Sequence, residues 1–140
     1  MTKTFVVDRG VEIVQEEVTY DLHNNYAISG IAFISEGDLV VIFNQLKGKG
    51  SLLIRCVGLD YIAMSICVSR ASLIFIDEVG YKDPSDNNDE WLMTEEQASS
   101  KDHLYFRLEG GGYLRFHCES CRIDEIDVTA VKNPMDLMRL

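Results

Sequence analysis

Toward the end of the chain, His117-Cys118-Glu119-Ser120-Cys121 sets two thiols at Cys-x-x-Cys spacing beside an imidazole. That spacing lets both sulfurs reach one zinc ion, with His117 as a third ligand, and it equally suits a redox disulfide. A structural zinc site draws on a second ligand pair, whereas the other cysteines, Cys56 and Cys67, stand singly. A thioredoxin-type pair opens a helix whose dipole lowers the thiol pKa. Here the pair follows a strand-like run and precedes Arg122-Ile123-Asp124-Glu125-Ile126, so that activation is not evident. The thiols are read first as buried structural groups. Metal ligation by Cys118, Cys121 and His117 is the alternative, and redox chemistry stands third.

The three histidines, His23, His103 and His117, lie at or near strand borders. General acid–base work needs an oriented partner, which spacing along the chain does not supply, so they are read as surface or turn residues. The sequence holds no G-x-S-x-G elbow, no H-E-x-x-H pair, and neither the upstream His-x-Glu nor the Pro-Cys-x-x-Cys of the zinc deaminases. Asp83, Asp86, Asn87 and Asp89 imitate a calcium loop, but the central glycine is missing and Glu90 comes too early for the last ligand. Lys47-Gly48-Lys49-Gly50 departs from the phosphate-loop spacing. The expectation is a protein without catalytic residues or cofactor.

Charge narrows the partners. With 23 acidic against 13 basic side chains the formal net charge is -10. Such a field repels phosphate backbones, whose binding depends on Lys and Arg displacing counterions, so no nucleic-acid partner is expected. It attracts a basic protein. No apolar run approaches the roughly 20 residues that span a bilayer, and the N-terminal stretch turns polar too early for a signal peptide. A cytoplasmic protein with reduced thiols and no membrane partner is expected.

The elements that must position these residues read as strands. Val18, Tyr20 and Leu22 alternate with Glu17, Thr19 and Asp21, which buries one face and wets the other. Val11, Val14 and Val18 also fit a helix face, against which their β-branching argues. Tyr26 to Ile34 and Leu39 to Phe43 flank Glu36-Gly37 as a hairpin, and its second arm is apolar throughout, as in a central strand. Leu52 to Val57 and Ser72 to Val79 are further strands, and residues 59 to 68 fit strand or helix. The clearest hairpin is Leu104 to Glu109, Gly110-Gly111-Gly112, then Tyr113 to Cys118: Leu104, Phe106 and Leu108 oppose Leu114, Phe116 and Cys118. Tyr105 and Tyr113, on its polar face, cover the sheet or anchor an interface. Ile123, Ile126 and Val128 add a last strand.

Between the strands lies a long acidic loop at about 80 to 102. Within it Thr94-Glu95-Glu96-Gln97 has the signature of a short capped helix, and Pro134 suits the opening of another. A chain of 140 residues fits one domain. The expected fold is mainly β, an antiparallel sandwich or strongly bent sheet with one or two short helices. Size, acidity, strand-rich layout and acidic loop together resemble the small immunity proteins of bacterial polymorphic-toxin systems. The resemblance implies a cytoplasmic inhibitor that covers a basic toxin domain. The loop supplies the candidate contact surface: Asp83, Asp86, Asp89, Glu90, Glu95 and Glu96 to steer, and Trp91 to anchor. The apolar stretch from Val128 to Leu140 offers a third possibility, self-association.

Overall fold

The computed structural model describes residues 1–66, 74–88 and 90–127. The chain is mainly β, and its principal sheet is built from long antiparallel strands. The hairpin expected around Gly37 forms from β5 (Tyr26–Ser35) and β6 (Asp38–Gln45), with Gly37 at φ 80°, a conformation that costs glycine little. Next come β7 (Gly50–Ser65), β8 (Ile76–Lys82), β9 (His103–Leu108) and β10 (Tyr113–Asp127), in the spatial order β5-β6-β7-β10-β9-β8. The two edges of this sheet meet: Ile28 of β5 and Ile74, just before β8, exchange backbone hydrogen bonds of 2.8 and 3.1 Å. The sheet is thus curled into a near-closed barrel, which pairs edges that would otherwise be open to other chains.

Strand β6 sits between β5 and β7, as its unbroken apolar run requires: Leu39, Val41 and Phe43 enter the interior, while Val40 packs with Leu53 on the opposite face. The β9–β10 hairpin keeps its expected register, Leu114 opposite Phe106 and Phe116 opposite Leu104, all buried. Residues 50–65, two segments in the sequence reading, form one bent strand, and β10 likewise runs on through Ile123 and Ile126. The bend is local. His117 pairs with Tyr61 but Cys118 pairs with Leu59, so Asp60 is an extra, bulged residue, and Gly58, two positions before it, takes φ 68°.

A three-stranded sheet of β2 (Val6–Asp8), β3 (Glu12–Gln15) and β4 (Val18–Asp21) adds Val7, Ile13 and Tyr20 to the same core. It is tied down by Val79 N–H to Gly10 O at 2.6 Å, and by the Gln15 side-chain amide, which bonds both N–H and C=O of Ile123. The remaining element, β1 (Thr2–Lys3), lies parallel along β10, opposite Ser120 and Cys121.

The expected short helices are corrected: the described residues contain none. At Thr94 the cap forms, since Gln97 Oε1 accepts from Thr94 N–H and Thr94 O accepts from the N–H of Gln97 and Ala98. One turn is all that follows, because Ser99 N–H is drawn to the Asp102 carboxylate at 2.7 Å and reverses the chain. A single turn does not recover the cost of helix nucleation. The Pro134 helix and the Val128–Leu140 stretch lie outside the described residues, as do Cys67 and Asp89. No helix among the described residues is long and apolar enough to cross a membrane.

Candidate functional site

Strands β8 and β9 are joined by a 20-residue loop, Asp83 to Asp102. Two buried cations of the sheet hold its first half. Arg115, only 4% exposed, donates from Nη1 to Asp86 O at 2.7 Å, from Nη2 to Asp83 O at 3.1 Å and from Nε to His103 Nδ1 at 3.1 Å. Its guanidinium lies over the rings of Tyr61 and Tyr105. Lys82, 2% exposed, donates to Asn88 O and pairs with the Asp86 carboxylate at 3.4 Å.

The loop's own side chains complete the frame. The Asp83 carboxylate accepts from the hydroxyl and N–H of Ser85 and from Lys101, and these donors hold it well below the ordinary carboxylate range. Asp86 accepts from the N–H of Asn88, the main cause of its lowered pKa, and Asn88 Oδ1 in turn accepts from Glu90 N–H. Each is a side chain folding the backbone two residues on.

The second half is zipped to the barrel. Tyr81 and Met93 exchange backbone hydrogen bonds of 3.0 and 2.9 Å, and Leu92 is buried against Gly80. A Cβ on Gly80 would stand 2.7 Å from Leu92 Cβ and 2.8 Å from Met93 O, so the absence of a side chain there permits the approach. Glu95 is drawn inward to Lys3, Tyr81 OH and the N–H of Val7. Burial raises its pKa, but these three donors outweigh burial and leave it lowered.

The acidic residues singled out from the sequence therefore divide. Asp83, Asp86 and Glu95 shape the loop. Glu90, Trp91 and Glu96 are exposed, the indole by 60%. Lys82, Arg115 and Lys3, which hold the loop, escaped sequence reading because nothing in their local pattern distinguishes a buried cation from a solvated one. Tyr105 is buried and stacks on Tyr113 at 5.6 Å, so it covers the sheet beneath the loop. His103 stacks on Tyr61 at 4.3 Å, and burial together with the positive charge of Arg115 lowers its pKa.

The Cys-x-x-Cys pair lies elsewhere, in the core. Alternation along β10 breaks between Cys118 and Cys121, opposite Gly58 with its positive φ, so these two residues, an odd number of positions apart, both enter the interior. Cys121 stands directly opposite Cys56 of β7, with their sulfurs 3.9 Å apart. The sulfurs of Cys56, Cys118 and Cys121 all lie within 4.8 Å of one another, and all three residues are buried free thiols. Contact with Cys121 and Cys56 depresses the pKa of Cys118, while contact with Cys118 and burial raise theirs. His117 is engaged differently: Nδ1 meets the Asp60 carboxylate at 2.8 Å and Nε2 meets Ser100 O at 2.9 Å. The third member of the cluster is thus Cys56, which only the strand register reveals.

A broad polar groove of about 670 Å³ lies at another end, lined by Tyr20, Asn24, Tyr26, Gln45 and Lys47 among others. Comparison of the chain with models of protein families, with curated proteins and with solved structures finds no match.

Proposed function

We propose that this protein is a binding module that docks a basic protein partner on the outer rim of the Asp83–Asp102 loop and acts by occupying that partner's surface, in the manner of an immunity-type inhibitor. The observation that carries this reading is the pre-organised loop: two buried cations fix its backbone from beneath while Glu90, Trp91 and Glu96 face solvent. A loop ordered in advance loses little entropy on docking, which raises affinity without added contacts. An exposed indole flanked by carboxylates supplies an anchor and a charged rim, the usual distribution of roles in an interface. The net charge of -10 accelerates encounter with a cationic surface.

The test is kinetic. Protein retrieved from the source cell by the immobilised full chain is purified, and its association is followed at low and high salt. Glu90→Lys with Glu96→Lys should slow association about tenfold at low salt, with the difference vanishing at high salt. Trp91→Ala should speed dissociation by about 30-fold, the equivalent of roughly 2 kcal/mol at an anchoring side chain. The control, Glu36→Lys with Glu109→Lys, makes the same change in net charge at two hairpin turns. Equal slowing by both pairs, or by neither, removes the loop from the interface.

A further inference from the structure

The core cluster offers a site independent of the docking loop. We propose that Cys56, Cys118 and Cys121 form a three-thiolate site for one soft monovalent ion of the copper(I) class. At a metal–sulfur length of about 2.3 Å, two thiolates stand about 3.8 Å apart on a tetrahedral ion and about 4.0 Å apart on a trigonal one. Cys56 and Cys121 are separated by 3.9 Å, and Cys118 lies within 4.8 Å of both, so closing the triangle takes rotamer-scale adjustment. A disulfide, at about 2.05 Å, would need nearly half that separation removed.

The donor set selects the ion. All three groups are sulfur, and among the described residues the Met1 thioether also stands 3.5 Å from Cys118 Sγ. Thiolate and thioether together favour copper(I), whereas a structural zinc ion takes four ligands from thiolate, imidazole and carboxylate. The site's nearest imidazole, His117, is committed to Asp60 and Ser100. Burial disfavours water as a fourth ligand, since the thiols are at most 3% exposed and belong to the main apolar core. Binding replaces the thiol protons, which leave to solvent, with no change of oxidation state. Lys3 stands opposite Cys121 on the neighbouring strand, with its ammonium paired to Glu95.

The full chain is refolded anaerobically under reducing conditions with copper(I), because buried sulfurs load most readily before the core closes. One copper per chain is expected after removal of excess metal by a copper(I) chelator, with a sulfur-only coordination shell by X-ray absorption and a raised Tm. Cys56→Ala, Cys118→Ala and Cys121→Ala should each lower the retained copper at least tenfold, while circular dichroism of the same variants verifies the strand content. Sub-stoichiometric copper in the folded wild type, retention undiminished in Cys56→Ala, zinc held in preference to copper, or a Cys56–Cys121 disulfide in the protein as isolated would each overturn the assignment.

Discussion

Replacing Arg115 by methionine keeps the stem that lies along the sheet and deletes the guanidinium that holds the loop. Three hydrogen bonds disappear, to Asp83 O, Asp86 O and His103 Nδ1. Bonds made by a charged donor contribute about 1.5–3 kcal/mol each, against several kcal/mol for desolvating the buried cation. Removing one side of a buried charged network costs about 3–5 kcal/mol. The partners left behind are neutral and two belong to a loop that can lift into water, so the low end, about 3 kcal/mol, is expected. Urea unfolding reads this as a lower midpoint with an unchanged slope. Hydrogen exchange supplies the local signature: the Asn88 and Glu90 amides, folded onto Asp86 and Asn88 side chains, should lose protection while those of the β9–β10 hairpin keep theirs. Arg115→Lys should also fail to restore the loop, since a point charge cannot serve two carbonyls and an imidazole in one plane. A loss below about 1 kcal/mol with the loop amides unchanged would refute the reasoning, and the loop's own turns together with Lys82 would then suffice to hold it.

Two further perturbations probe the frame around the loop. The β3–β4 turn carries Glu16 at φ 50° and Glu17 at φ 68°, a left-handed pair that Asn-Gly adopts more easily, so Glu16→Asn with Glu17→Gly should raise stability by about 1–2 kcal/mol in urea unfolding. Glu95 has a folded-state pKa below its unfolded value, so its contribution is present above the unfolded carboxylate range and is lost as pH falls through the folded value. Glu95→Gln should therefore be less stable than the wild type at neutral pH, and acid titration of both should show the gap narrowing as pH falls below about 4.5. A gap that stays constant across that range would show that the carboxylate charge contributes nothing.

The parts of the fold legible in the sequence are those whose burial is local. Leu104, Phe106 and Leu108 face Leu114, Phe116 and Cys118 because period-two alternation on both arms, joined by Gly110-Gly111-Gly112, permits one inward register. The same rule misleads where alternation breaks. Extended from Leu114 and Phe116 it directs Cys118 inward and Cys121 outward, and only the break in alternation opposite Gly58 brings Cys121 into the core as well, against Cys56. Thr94-Glu95-Glu96-Gln97 carries a genuine cap signal, yet Glu95 is recruited by Lys3, Tyr81 and Val7, and long-range partners outweigh a few tenths of a kcal/mol of local preference. Among the loop carboxylates, sequence supplies the charge but not its commitments: Asp83 and Glu90 look alike until Ser85 and Lys101 are seen to occupy the first.

The loop's length is the strongest reason to look to it for function. Strands β8 and β9 are antiparallel neighbours, with Lys82 opposite His103, and a two-residue turn would join them. The chain instead spends 20 residues there and buries Lys82 and Arg115 beneath them. Burying cations costs free energy that a hydrophobic pair of the same size would not, so stability alone does not account for the arrangement. What the cations accomplish is geometric: they fix the carbonyls of Asp83, Asp86 and Asn88, and thereby the place at which the chain emerges toward Glu90 and Trp91. In the docking proposed above, the exposed indole of Trp91 is the anchor that this framework would present.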